Sequence, residues 1–218
     1  MMAAVSTVSP DALVRLHGIA KRWDATAALA PVSLTVAPGE LVVVRGRSGT
    51  GKTTLLAILA GWCDADGGEI QWHPELVPAG LDRPWSATAI VPQVLGVDAD
   101  LSVAENVELV LRAAGARPDV AHARAHSMLA RVDLLEEQDR WPRETSFGQQ
   151  QRLAVARAMV ARPRLVLADE PTSHQDAGHA ALVIEVLQDQ LASGGGALVA
   201  SHEPLVVAAA DRVIELGE

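Results

Sequence analysis

No stretch of this 218-residue sequence is apolar for long enough to cross a bilayer. Its uninterrupted apolar runs, such as LVVV at 41–44 and VVAAA at 206–210, fall far short of the roughly 20 residues that a span requires. Apolar residues nevertheless make up 49% of the chain, enough for a proper core, and the length suits one domain, with room for a subdomain. Cysteine is almost missing: Cys63 stands alone, so an internal disulfide is excluded. That fits a reducing compartment, and Cys63 reads as a small buried thiol. The opening MMAAVSTVSPDALV lacks the basic region and apolar stretch of a secretory leader, so residues 1–11 are expected to form a loose tail and export is not expected. Net positive charge is missing too. At −9 the chain argues against broad nucleic-acid binding, and an anionic ligand must be held by local geometry. Internal repeats and long low-complexity tracts are also absent.

The patterns that are present alternate. ALVRLH (12–17) and VSLTV (32–36) read as strands of a sheet edge, the second followed by the turn signal PGE. LVVVR (41–45) has the branched, apolar character of a strand buried on both faces. TTLLAILAG (53–61) continues as a helix that a glycine ends. GEIQW (68–72) and ATAIV (87–91) read as further strands, separated by a loop rich in Pro and Gly. From about 94 to 162 the segments VAENVELVLRAAG, VAHARAHSMLARV and QQQRLAVARAMVAR repeat Leu, Val and Ala at helical spacing, as a helical subdomain inserted into a sheet-based core would. Strand patterns resume at RLVLA (164–168), ALVAS (197–201) and RVIEL (212–216), with a helix at about 177–192. Strands alternating with helices imply a mainly parallel sheet covered on both faces.

Between the strand 41–45 and the helix 53–61 lies GRSGTGKTT (46–54), which fits G-x-x-x-x-G-K-[ST]. At ordinary residue frequencies such a match arises by chance in roughly one chain of this length per hundred, before the flanking elements are required. Gly46, Gly49 and Gly51 let the backbone turn its N–H groups inward, with Ser48 and Thr50 in the same cradle, and the helix start adds about half a positive charge. Lys52 is expected to reach the β- and γ-phosphates of a nucleotide and Thr53 to ligate Mg²⁺, while Thr54 touches the α-phosphate or only packs. RLVLADEP ends a second buried strand in two carboxylates. By itself such an ending is commonly a solvated turn. Beside a phosphate cradle, Asp169 is expected to hold Mg²⁺ through water and Glu170 to polarise an attacking water, a role whose loss costs about 10²–10⁴ in rate.

From about residue 12 to the end, the chain resembles the nucleotide-binding subunit of an ABC transporter. The resemblance implies an α/β P-loop NTPase core with a mainly parallel sheet, an antiparallel β edge and the inserted helical subdomain (94–162), together one ATPase domain over 12–218. It also implies roles. Trp23 in KRWD matches an aromatic that stacks on adenine. Gln93, closing VPQ, matches a glutamine that senses metal and attacking water and precedes a segment facing the membrane partner. His202, closing ASH, matches a histidine that contacts the γ-phosphate. In PTSHQD (171–176) the family ends in Leu-Asp; here Gln175 replaces the leucine and Asp176 remains.

TSFGQ (145–149) falls on the family signature LSGGQ. Thr145 and Phe147 depart from it, while Ser146, Gly148 and Gln149 match and are expected to grip the γ-phosphate held by an opposite subunit. Read from the residues alone, Ser146 to Gln149 is a capping box at a helix start, which is compatible with an anion site. A side chain at 147 is tolerated if φ there is negative. If φ is positive, about 1–3 kcal/mol of strain must be absorbed. Closure is expected to be reduced or altered by Phe147 rather than abolished, and glycine at 147 to equal or raise turnover. Phe147, the only phenylalanine, is also placed to pack against the subdomain.

The resemblance thus implies an ATP-hydrolysing subunit that dimerises, or pseudo-dimerises, around ATP and Mg²⁺ and drives an integral membrane permease from the cytoplasmic face, with no nucleic-acid partner. LADEPT and LSVAENVEL are most similar to the lipoprotein-releasing, macrolide-exporting and cell-division subgroup. The alternatives are a mechanotransmitting, non-transport complex that regulates cell-envelope enzymes, a soluble ABC ATPase of DNA repair or translation, and a P-loop small-molecule kinase.

Overall fold

The computed structural model describes residues 12–23, 26–74, 76–77 and 87–217. The expected tail 1–11, and most of the expected loop between the strands near 70 and 90, lie outside them.

Five strands form one parallel sheet: β3 (Leu41–Arg45), β5 (Thr88–Val91), β6 (Leu165–Asp169), β7 (Gly196–Ala200) and β8 (Arg212–Glu215). Their order is β5-β6-β7-β3-β8, and each neighbouring pair is parallel. The remaining strands, β1 (Val14–Trp23), β2 (Thr26–Val36) and β4 (Gly67–Trp72), make an antiparallel sheet in the order β2-β1-β4. This is the α/β arrangement expected, a parallel core with an antiparallel edge.

The sequence of β6 shows why the sheet must be covered twice. Leu165 and Leu167 point into one apolar cluster, with Val42 and Val44 of β3 and the buried Leu55, Leu56, Ile58 and Leu59 of helix α1 (Lys52–Leu59). Val166 and Ala168 point into the other, with Val43 and Val199. A strand apolar on both faces carries no alternation, so its run of Leu, Val and Ala is what a two-sided core demands. Cys63 is half-buried against the first cluster.

The second cluster also takes in α2 (Val103–Ala113), α3 (Pro118–Arg131), α4 (Phe147–Met159) and α5 (Ala177–Ala192). The three expected helical segments are thus α2, α3 and α4. Ser102 opens α2 with a capping box, its side chain accepting from the Glu105 N–H while Glu105 accepts from the Ser102 N–H. The buried Asn106 fastens the preceding segment: its Nδ2 donates to the carbonyls of Asp98, Leu101 and Ser102, and its Oδ1 accepts from the Asp98 N–H.

Three elements differ from expectation, the first being β2, which begins at Thr26 and not at 32. β1 continues to Trp23, past the expected end at 17, through a pairing with β2 that shifts register between Leu16 and Ile19 and again before Lys21. A bulged strand breaks the alternation by which strands are recognised. A five-residue helix, α6 (Pro204–Ala208), follows β7, too short to show a helical period.

Candidate functional site

Four of the five parallel strands end, at their C-terminal edges, beside one cleft of ≈ 660 Å³. The loop after β3, the carboxylates at the end of β6, His202 after β7 and Gln93 after β5 all line it. The crevice at the carboxyl ends of the strands is where an open α/β sheet can bind a ligand, because there the loops diverge and the helix starts converge. Gly46, Ser48, Gly49, Gly51, Lys52, Thr53 and Thr54 form one wall, and Trp23, half-exposed at the end of β1, stands at its rim.

Gly46 and Gly51 are required by contact as well as by dihedral angle. Gly51 has φ 98°, and a Cβ there would lie 2.3 Å from the Ala28 carbonyl oxygen of β2. At Gly46, with φ 150°, a Cβ would lie 2.6 Å from the Thr50 hydroxyl and 2.7 Å from the Leu216 carbonyl. Thr50 turns its hydroxyl to the Arg47 carbonyl, 2.9 Å away, and so braces the loop. No side chain caps α1, whose helix start is flanked by Gly51. Its first N–H groups and the positive end of its dipole are left for an anion. Lys52 Nζ lies over the loop, donating to the carbonyls of Gly46 (2.7 Å) and Arg47 (3.3 Å), which holds the ammonium where phosphate oxygens would enter.

Asp169 is buried, 4% exposed, and its Oδ2 accepts from the Thr53 hydroxyl at 2.6 Å. Burial pushes its pKa above the ordinary carboxylate range and the neighbouring Glu170 adds to that, while the Thr53 hydrogen bond and Lys52 oppose it. A hydroxyl and a carboxylate converging next to a phosphate cradle are the oxygen donors that Mg²⁺ prefers, so the residues present fit that ion. Among the described residues no cluster of three or more His, Cys, Asp or Glu side chains forms a separate metal site.

Glu170 has a left-handed backbone, φ 48°, at the point where β6 turns into its loop. Its carboxylate is oriented on both oxygens: Oε2 accepts from the Ser201 hydroxyl at 3.0 Å, and Oε1 lies 2.7 Å from Nδ1 of the exposed His202. Its main chain is fixed too, the N–H donating to the Ala200 carbonyl and the carbonyl accepting from Gln151 Nε2. Ser201 and Gln151 were not singled out in the sequence. Ser201 stands beside His202 in ASH, whereas nothing in the sequence tied Gln151 to a residue 19 positions away.

Ser146, Gly148, Gln149 and Asp176 are not brought to this cleft. They line a second one, with Phe147, Arg152, His174 and Gln175 around them. The capping box is formed there: Ser146 Oγ accepts from the Gln149 N–H, and Gln149 Oε1 accepts from the Ser146 N–H. Gln149 Nε2 also donates to Glu137, which commits that side chain to the chain's own structure. Phe147 is the first residue of α4, and among the described residues the non-glycine ones with positive φ are Asp133, Arg162, Glu170 and His174. Position 147 therefore carries its side chain without backbone strain. The ring is half-exposed and packs edge-on against His174. Asp176 caps α5, accepting from the His179 N–H and bonding its ring Nδ1; both hold its pKa below the usual carboxylate range.

Trp23 is held from one side. Lys21 Nζ lies 5.0 Å from the centre of its ring and pairs with Asp66 at 2.7 Å, and Asp66 also accepts from the Arg22 N–H. This support, from residues 45 positions apart, had no sequence signal.

The family model for ABC transporters matches residues 29–173, about two-thirds of the chain. The chain belongs to the ABC transporter family. Among its relatives, an ABC transporter ATP-binding protein of Mycobacterium tuberculosis is 40% identical over 190 residues, 85% of this chain and 58% of that protein. The spermidine/putrescine import ATP-binding protein PotA of Pseudomonas aeruginosa is 39% identical over 165 residues, 76% of this chain and 45% of that protein. The macrolide export ATP-binding/permease protein MacB of an Azoarcus species is 34% identical over 98% of this chain and 34% of its own length. The chain thus spans little more than half the length of the first of these relatives. A dimeric structure of the ATP-binding cassette MJ0796 bound to ADP and Pi superposes with a TM-score of 0.82 at 28% identity, over 93% of this chain and 94% of that one. The chain thus shares its fold with an ATP-binding cassette, and MacB is a macrolide-export relative of the kind that LADEPT and LSVAENVEL pointed to.

Proposed function

We propose that this chain is the ATP-hydrolysing subunit of an ABC transporter, in which two copies close around ATP and Mg²⁺ and drive a separate membrane permease. One observation carries the reading. The phosphate cradle with its carboxylates and the serine-capped start of α4 are both built, but they line different clefts of the same chain. A half-site of each kind, held apart within one molecule, is complete only when a second copy supplies the other half. The dimeric form of the MJ0796 cassette supports the same arrangement.

Within that sandwich, the glycine loop and the start of α1 bind the phosphates, Lys52 takes up charge developing on the transferred group, and Trp23 stacks on the adenine. Thr53, Asp169 and Gln93 would hold Mg²⁺, which when bound would supply charge neutralisation to the phosphates. Glu170, fixed by Ser201 and Gln151, accepts a proton from the attacking water as the water oxygen bonds to the γ-phosphorus and the bond from that phosphorus to the β-phosphate oxygen breaks, so that ADP leaves and phosphate is formed. His202, 2.7 Å from Glu170 and exposed on its far side, orients that carboxylate and reaches toward the γ-phosphate. Ser146 and Gly148 of the opposite copy close the site, and Asp176 lies at the same contact. Residues 12–218 act as this ATPase domain, with 94–162 as its helical part. Among the described residues no helix is long and apolar enough to cross a membrane. The segment after Gln93, tied down by Asn106, is the surface that meets the permease and holds the chain peripherally on the inner face of the membrane.

Mixing two inactive variants tests the shared site. Lys52→Ala destroys the cradle and Ser146→Arg blocks the helix start, so neither alone is expected to turn over ATP. In a mixture the heterodimer holds one site built from two intact halves, and turnover should reappear. No recovery above the sum of the two variants would show that each site is completed within its own chain.

A further inference from the structure

The loop 170–176, which starts at Glu170 and ends at the cap of α5, is fastened to α4 at both ends. At its beginning Gln151 Nε2 donates to the Glu170 carbonyl at 3.2 Å. At its end Gln175 uses both halves of its amide: Nε2 donates to the Gly148 carbonyl at 2.8 Å, and Oε1 accepts from the buried Arg152 at 3.0 Å. Between these points the Phe147 ring meets His174 edge-on, with centroids 4.7 Å apart at 72°. The surfaces are close enough that a Cβ on Gly148 would lie 3.0 Å from the His174 carbonyl. His174 itself is left-handed, φ 61°, a conformation maintained only where its surroundings fix it.

Phe147 and Gln175 are two of the three side chains by which the chain departs from the family pattern in these two segments, Thr145 being the third, and these two lie on one contact. A leucine at 175 has neither donor nor acceptor, and would leave the Gly148 carbonyl and an Arg152 N–H without their partners. A glycine at 147 has no ring to set against His174. We propose that Phe147 and Gln175 are positioning residues that clamp the loop carrying Glu170 to the helix start presenting Ser146 and Gly148. The half-site offered to the partner copy then moves as one body with the chain's own catalytic loop. This rests on the dimeric reading above, and it reverses the expectation that glycine at 147 would match or improve turnover.

The test uses the full chain and Phe147→Ala, Gln175→Leu, the double variant, His174→Ala and His174→Phe. Two quantities are read: the concentration of a non-hydrolysable ATP analogue giving half-maximal dimer by light scattering, and the affinity of the dilute monomer for a fluorescent nucleotide. Gln175→Leu is expected to raise the dimerisation concentration about tenfold, as loss of a buried polar pairing does. Phe147→Ala should raise it about threefold, and the double variant no further than Gln175→Leu alone. His174→Phe should restore what His174→Ala loses. Monomer affinity should stay within about twofold throughout, since the glycine loop is untouched. The half-exposed Phe147 carries the test if Gln175→Leu does not fold. Unchanged dimerisation in the variants, or losses that simply multiply, would overturn the clamp while the natural chain still dimerises. A natural chain that never dimerises would instead overturn the reading on which the clamp depends.

Discussion

A carboxylate is costly to bury, and the chain places Asp169 in its interior with one hydroxyl partner, Thr53, and an ammonium, Lys52, nearby. The glycine loop has equally little slack. Gly51→Ala would set a methyl group against the Ala28 carbonyl at φ 98°, so β2 or the loop must move. The expected cost is about 1–3 kcal/mol in a thermal melt, with loss of nucleotide binding by fluorescence titration. Asp66 illustrates support at a distance. Its hydrogen bond and pairing with Lys21 and the Arg22 N–H hold its pKa below the ordinary value of 3.8. A depressed carboxylate contributes stability that is present above its unfolded pKa and lost as pH falls through its folded one. Asp66→Asn should therefore lower the melting temperature at pH 7, and the difference from the natural chain should shrink as pH drops below about 4. A difference that persists unchanged into acid would show that the charge of Asp66 plays no part. The same substitution should weaken binding of adenine nucleotides if Lys21 steadies Trp23.

The start of α4 does two things with one set of atoms. Ser146 caps the helix by accepting the Gln149 N–H, and a hydroxyl that accepts there keeps its own hydrogen for an anion. Ser146→Ala should cost about 1 kcal/mol in a denaturant melt and also reduce turnover. Ser146→Asp, which caps as well but repels phosphate, should keep the stability and lose the turnover. Elements of this kind were legible from the sequence because each is set by neighbours in the chain: the capping box by a spacing of three, the cradle by glycines between a buried strand and a helix, β6 by its unbroken apolar run. β1 beyond residue 17 was not, because its bulged pairing with β2 erases the alternation. α6 was not, since five residues hold little more than one turn. The contacts that orient the site were hidden for a different reason. Ser201 meets Glu170 across 31 residues and Gln175 meets Gly148 across 27, and only the fold brings them together.

At the scale of the whole molecule the parallel sheet sets the chemistry, because four strands deliver the cradle, both carboxylates, His202 and Gln93 to one edge. The same topology puts the start of α4 in another cleft, which shares no lining residue with the one that holds the cradle. Phe147 is the first residue of that helix, half-exposed and turned onto His174. On the proposed reading, closure occurs between copies, with ATP at once the substrate and the link between them. The most direct measurement follows Glu170→Gln beside the natural chain, recording phosphate release and the mass of the particle in solution at saturating ATP and Mg²⁺. The variant is expected to bind ATP, to release phosphate at least 100-fold more slowly, as loss of a general base entails, and to accumulate as a dimer. Unchanged phosphate release, or a particle that stays monomeric with ATP bound, would contradict the shared site.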